Sequence, residues 1–359
     1  MPTTSFPPAI PLAKAGHAAP SADNSQPWHF WWNGERLGIG YDHKRVDGRT
    51  FAADDPATLL AMGAAIENIV AAAEELQIPL DLELFPSQER FPAPCYAAFR
   101  FHSEAVCPPL PEQLPLLQRH TNRFPYRKEP LPNTVKRKVE ALREEETKIE
   151  LFQDKESLER IHGLVRMASQ IRFQTREVHE WLADCLRFSA EDVKKADGLD
   201  VRTLALPPGG DLFLRWIGEW KRMERLNRLG LYTLMARADA APVAKGPAIG
   251  VIKGPKGRES SLAAGRLLVR AWTLLNEAGL AVHPYYVVSD QLHRWSEKKI
   301  PERLKTAAGS LVEEARSSFA LGKDETLYML LRIGYPTREA PRSRRLPLEA
   351  VFTDLTARR

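Results

Sequence analysis

The sequence predicts an α+β protein made of two related halves in one chain, with a helical insertion in the second. Three observations carry this. Helical and strand-like stretches alternate along most of the chain. One helix-to-strand passage recurs 202 positions further on. Residues 207–240 have no counterpart in the earlier copy.

The elements follow in order. Ile10 to Ala19 reads as a short helix. Trp28–Trp32 and Arg36–Gly40 read as strands around Asn33-Gly34, a strong hairpin turn. Leu60-Ala61-Met62-Gly63 lies in a helix over 57–77, with Ile66, Ile69, Val70 and Ala73 at helical spacing. Strands are expected near 80–85 and 95–102. In the second half, Asn133 starts a helix to about 146, a strand covers 148–152, and 155–188 is helical. Strands at 246–252, 281–288 and 326–334 frame a helix over 260–278. That helix contains Leu262-Ala263-Ala264-Gly265, and Leu60/Leu262, Ala61/Ala263, Gly63/Gly265 and Glu75/Glu277 coincide at the 202-residue offset. A glycine inside each helix points to close approach of another backbone, since Gly is about 1 kcal/mol worse than Ala there. The insertion at 207–240 carries Trp216, Trp220, Tyr232 and several arginines.

Bulk composition narrows the function. The chain has 359 residues, 43% of them hydrophobic, enough for a substantial core. Its 51 Lys and Arg against 46 acids give +5, and the pI is near 9.0. This mild excess suits an anionic small molecule and is too dispersed for a nucleic-acid partner. Cys95, Cys107 and Cys185 form no CxxC pair, which fits a reducing, cytoplasmic setting. Met1 to Ala13 lacks signal-peptide character, and no stretch is expected to approach the roughly 20 apolar residues that cross a membrane. His17, His162, His179 and His293 have no metal-ligand spacing, and no metal is expected.

Three segments carry chemistry. Pro20-Ser21 followed by Asn24-Ser25-Gln26-Pro27-Trp28 is a rigid polar loop between two prolines. Arg119-His120-Thr121-Asn122-Arg123 brackets a hydroxyl with two guanidiniums, an anion grip. Pro341-Arg342-Ser343-Arg344-Arg345 is a basic run near the C-terminus. Together these resemble the nitroreductase superfamily: the first its FMN-contacting Pro-Ser-x-x-Asn loop, the second its Arg-x-Ser-x-Arg phosphate segment, the third the basic element that closes on the same phosphate. His283-Pro284-Tyr285-Tyr286 stands where that family passes the flavin N5, although Tyr286 and Val287 replace its usual Glu and Gly.

The resemblance covers most of the chain in two copies. It implies a twin-domain, Acg-type nitroreductase-like fold, an intramolecular pseudo-dimer split at 1–115 and 116–359 with a lid at about 207–240. The first half has the loop and the second the Arg segment, so one FMN site is implied. Its residues would be Pro20, Ser21, Asn24, Gln26, Arg119, His120, Thr121, Arg123, Pro284, Tyr285, Tyr286, Arg342 and Arg344. NAD(P)H would be the electron donor and a small oxidised molecule the acceptor, with no protein acid or base. The alternative implied by the same branch is a flavin-sequestering protein. The pseudo-dimer would be a monomer or a weak homo-oligomer, with no membrane or nucleic-acid partner.

Overall fold

The computed structural model describes residues 8–87, 90–102 and 109–356. The expectations on Met1–Pro7, Cys107 and Pro108 lie outside these residues. Helix α1 (Ala9–His17) leads through the polar loop into the hairpin β1 (Trp28–Trp32) and β2 (Arg36–Tyr41). A short α2 (His43–Val46) precedes the long α3 (Pro56–Glu75), then β3 (Leu80–Leu84) and β4 (Cys95–Phe101). Next come α4 (Pro115–Gln118), α5 (Asn133–Ala141), β5 (Arg143–Glu144) and β6 (Thr147–Phe152). Helices α6 (Lys155–Arg172) and α7 (Arg176–Cys185) are followed by β7 (Leu186–Arg187), α8 (Ala190–Lys194) and β8 (Leu199–Asp200). Helices α9 (Gly210–Ile217), α10 (Trp220–Asn227) and α11 (Leu231–Lys245) form the excursion, and β9 (Ala248–Pro255) returns to the core. Helix α12 (Arg258–Glu277), β10 (Ala281–Tyr285), α13 (Val287–Ser296), α14 (Lys305–Ser318), β11 (Glu325–Gly334) and β12 (Phe352–Asp354) complete the order.

Two five-stranded sheets result, ordered β12-β1-β2-β4-β3 and β10-β11-β9-β6-β5. They share one connectivity. In each, the strand before the long helix pairs antiparallel with the second strand after it, β2 with β4 and β9 with β11. The first strand after the helix takes the outer place, β3 beside β4 and β10 beside β11.

The long helices α3 and α12 cross each other between the sheets. Each is 20 residues long, and their bounds differ by 202 positions at both ends. A Cβ on Gly63 would lie 2.0 Å from the Leu262 carbonyl oxygen, and one on Gly265 would lie 2.1 Å from that of Leu60. No side chain fits at such distances, so the glycines set how closely the helices approach. Beside the crossing, Arg266 and Arg270 bind both Glu67 of α3 and Glu144 of β5, with Arg266 Nε 2.9 Å from Glu67.

Four expectations change. The helix from Asn133 ends at Ala141 rather than near 146, because Glu145 turns left-handed (φ 51°) and Glu144 is held by Arg266 and Arg270. The helical stretch 155–188 is two helices, broken at Phe173–Thr175, where Thr175 Oγ1 donates back to Ile171 O at 2.9 Å. The strand from Ala281 stops at Tyr285, since Tyr286 is already α-helical and Val287 and Val288 bury into the core from α13. Helix α3 is long and apolar enough to cross a membrane, with mean hydropathy 1.4 over its best window; 83% of that window is buried inside the fold.

The split at 116 also needs amendment. Strand β12 runs parallel to β1, and Leu346, Leu348, Val351 and Phe352 pack into the first core. The apolar side chains of the C-terminal segment have their binding surface on the first sheet.

Candidate functional site

The polar loop holds three non-glycine residues in the left-handed region, Asp23 (φ 49°), Asn24 (φ 57°) and Gln26 (φ 50°). Each such residue costs about 1–2 kcal/mol, so the surroundings must hold it in place. They do so through side-chain amides. Asn24 Nδ2 donates to Gly198 O at 2.9 Å and Arg344 O at 2.8 Å. Gln26 Nε2 donates to Ala196 O at 2.9 Å and Asn24 O at 3.1 Å, while its Oε1 accepts from Leu346 N at 2.9 Å. Ser21 Oγ accepts from Gln26 N at 3.0 Å. Arg45 donates to the carbonyls of Ser25 and Gln26. Both protons of each amide are thus taken by protein carbonyls. Asn24 and Gln26 fasten the loop to 196–198 and 344–346, and present no free N–H to a ligand.

Below the loop lies a cationic centre. Arg119, just past α4, is 7% exposed, donates from Nη2 to Ala18 O at 2.6 Å, and stacks 4.8 Å over the Trp272 ring. Arg345 reaches the same carbonyl at 3.5 Å. Arg119 Nε and Arg345 Nη1 are buried without a partner. Among the described residues no carboxylate lies within 4.0 Å of either guanidinium. Burial, with Arg345 and Arg342 nearby, lowers the Arg119 pKa to about 9, and burial lowers that of Arg345 to about 10. Two buried cations without a counter-ion are unfavourable, and this arrangement suits an incoming anion. His17 stands beside it, accepting from Trp28 Nε1 at 2.9 Å and meeting Leu346 O at 2.8 Å through Nε2. Burial lowers its pKa to about 4.

Of the tail residues, Arg345 rather than Arg344 is the inward cation, and Arg345 was not among the expected site residues. Arg344 contributes its backbone carbonyl to Asn24 and leaves its side chain exposed. Arg342 is exposed and donates to Leu117 O and to Gln118 Oε1. Three basic positions within four residues signal a cationic tail but do not say which one turns inward. His120 bonds Gln118 O at 3.0 Å, and burial lowers its pKa. Thr121 bridges to Val282 and so sets the segment alongside β10.

A second polar group gathers around Arg123. Arg123 points its Nη1 toward Thr203 O at 3.5 Å. Burial raises the Asp23 carboxyl pKa against the opposing pull of Arg172 and Arg123. Arg172 pairs with Asp239 at 3.2 Å, Ser169 Oγ donates to Asp239 at 2.5 Å, and Tyr285 OH reaches Asp239 O at 3.3 Å. The His283 ring lies 4.2 Å from that of Tyr285, its Nδ1 is buried without a partner, and burial with Arg123 and Arg332 holds its pKa well below the usual imidazole range. Pro284 sits within β10 opposite Leu331. Tyr286 packs edge-on against Phe51, which packs on Trp181 at 4.3 Å. Asp23, Asp239, His17 and His283 are further additions to the expected set.

The structure therefore joins residues 20–26 and 341–346 to the Arg119 segment through Ala18, and joins Arg123 to the 283–286 segment through the second polar group. Residues 196–203 cover the loop directly. The helices α9–α11 instead pack on a small core of their own around Phe173, Ile217, Trp220, Met223 and Ala236. Two clefts, of about 380 Å³ beside Asn33 and Leu355 and about 260 Å³ beside Gln174 and Trp220, lie elsewhere.

Comparisons with known proteins add the following. No family model matches the chain. It is 26% identical over 278 residues to the uncharacterized protein MT1398 of Mycobacterium tuberculosis (strain CDC 1551 / Oshkosh), covering 76% of this chain and 38% of that protein. The chain thus spans well under half the length of that relative. Among solved structures, an FMN- and NADPH-dependent nitroreductase NfnB from Sphigopyxis sp. strain HMH aligns at 18% identity and TM-score 0.38, over 68% of this chain and 98% of its own. The NfnB of Mycobacterium smegmatis, solved with NADPH, aligns at 13% identity and TM-score 0.38, over 65% and 92%. A nitroreductase-like family protein of Bacillus cereus aligns at 12% identity and TM-score 0.35, over 68% and 96%.

Proposed function

We propose that this chain binds one FMN at the seam between its two sheets and acts as a nitroreductase-type NAD(P)H oxidoreductase on a small oxidised acceptor. The observation that carries the reading is the unpaired cationic centre. Three segments that resemble FMN-binding elements, far apart in sequence, meet around Ala18 and end in two buried guanidiniums without a carboxylate.

The donor set fits the anionic end of a mononucleotide. Arg119 Nε and Arg345 Nη1 would take the phosphate oxygens. It does not fit ring recognition by Asn24 and Gln26, whose amide protons are occupied; to read a flavin edge they would have to release Gly198, Ala196 and Arg344. When bound, FMN supplies the hydride-accepting and hydride-donating chemistry. The chain's part is to neutralise the phosphate, cover it with residues 196–203, and keep water from the polar group around Arg123. The shared connectivity of the sheets and the reciprocal Gly63 and Gly265 contacts support an internal pseudo-dimer, while residues 196–203, not α9–α11, stand over the loop.

The test is direct. The purified protein, or protein refolded with FMN, should hold one FMN per chain, released on denaturation. Anaerobic mixing with NADPH or NADH should bleach it. A protein that stays colourless after reconstitution overturns the reading. A flavin that binds but is not bleached by either nucleotide overturns the reductase part and leaves a flavin-holding protein.

A further inference from the structure

Among the described residues, six large hydrophobic side chains are exposed, and five of them belong to one excursion: Leu212 (68%), Phe213 (39%), Trp216 (49%), Leu229 (85%) and Leu234 (64%). Scattered single exposures are ordinary, but this concentration is not. Leu212, Phe213 and Trp216 sit at helical spacing on α9. Their helix buries Ile217 against Met223 and Trp220 of the neighbouring α10. The outer face is therefore available after the small core is filled.

Charge decides what covers it. Lys221 and Arg225 of α10 are exposed, and Arg222 lies 5.8 Å over the Trp216 ring; Arg215 and Arg228 are exposed too, but Arg215 lies 5.8 Å over the Phe188 ring and Arg228 lines the cleft at Gln174 and Trp220. The acids nearby are Asp211, Glu219 and Glu224, and Glu219 is already paired with Arg222 at 2.9 Å. A second copy docked face to face would bring these cations against their own counterparts, which repel. An anionic surface would instead neutralise them. Leu, Phe and Trp beside Arg and Lys on a short amphipathic helix is also the composition that seats at a lipid headgroup boundary.

We propose that the outer face of α9, with the cations of α10, docks on an anionic lipid bilayer surface. This departs from the expectation of no membrane partner, which rested on spanning length alone. It does not depend on FMN binding.

The experiment uses the full chain and vesicles of phosphatidylcholine, alone or with phosphatidylglycerol in a two-to-one ratio. The protein should pellet with the mixed vesicles, not with phosphatidylcholine alone, and high salt should release it. Leu212→Ser with Phe213→Ser and Trp216→Ser should abolish pelleting while circular dichroism stays unchanged. Lys221→Ala and Arg225→Ala should each weaken partition by about fivefold. Absence of pelleting with the mixed vesicles overturns the proposal. So does a concentration-dependent dimer that the triple substitution disperses, since a second copy then covers the face.

Discussion

Gly63 and Gly265 are the two halves of one reciprocal contact: each lies against the carbonyl of a leucine three residues before the other. Such an exchange is what a two-fold relation between elements produces. Alanine at either position would drive its Cβ into backbone that cannot step aside. Gly63→Ala and Gly265→Ala should each destabilise the protein by about 1–3 kcal/mol or more. Because both act on one crossing, the double variant should lose less than the sum. Urea unfolding followed by circular dichroism measures this; an unchanged midpoint in either single variant would contradict the close contact.

His17 makes stability depend on pH. Burial, with Arg345 and Arg45 nearby, lowers its pKa to about 4 in the folded state against 6.5 when unfolded, in keeping with a neutral ring whose Nδ1 accepts the Trp28 indole N–H. Between those values the unfolded chain binds more protons, so stability is lost as pH falls from 6.5 toward 4. The full effect is about 3 kcal/mol. Asp290 acts in the opposite sense, since burial raises its pKa to about 7 and its contribution fades as pH rises toward that value. Comparing wild type with His17→Gln in urea at several pH values isolates the His17 part. Parallel curves would refute it.

Arg119 should show a sign reversal. Without an anion it is a buried cation short of partners, and Arg119→Met should leave stability unchanged or raise it. With FMN or inorganic phosphate present, wild type should gain stability with ligand concentration and the variant should not. Arg345→Met should behave alike. Thermal melts across a ligand series would decide, and equal ligand shifts in wild type and variants would remove these residues from the anion site.

Asn24 carries both a bridge and a strained backbone. Asn24→Ala frees the carbonyls of Gly198 and Arg344 and places alanine at φ 57°, which should destabilise by about 2–4 kcal/mol. Asn24→Gly loses the same bridge without the backbone penalty and should recover about 1 kcal/mol. Melting temperatures in the reverse order would show that strain is not a factor here.

What could be read in advance follows from local signals. The hairpin at Asn33-Gly34 and the repeat helices announce themselves through turn chemistry and periodicity, and their glycines foretold a close approach. The start of α13 was obscured because Val287-Val288 is as good a strand as a buried helix face. The end of α5 was obscured because it depends on Arg266 and Arg270, over 120 residues away in sequence. The site shows the same division. The loop, the arginine segment and the tail were visible as motifs. That Asn24 and Gln26 would be satisfied by the carbonyls of 196–198 and 344 was not, because backbone acceptors look alike in every sequence.

The parallel pairing of β12 with β1 bears on how the molecule is made. Phe30 and Phe352, which sit side by side, leave the ribosome about 320 residues apart. Until the later strand emerges, Trp28–Trp32 keeps an open edge, and the core around Trp28 and Phe30 lacks Leu346, Leu348 and Val351. The first sheet therefore cannot be completed during synthesis of its own half. Assembly of that half waits for residues 346–354, and shortening the chain before residue 346 should leave the N-terminal sheet, not the C-terminal one, unfinished.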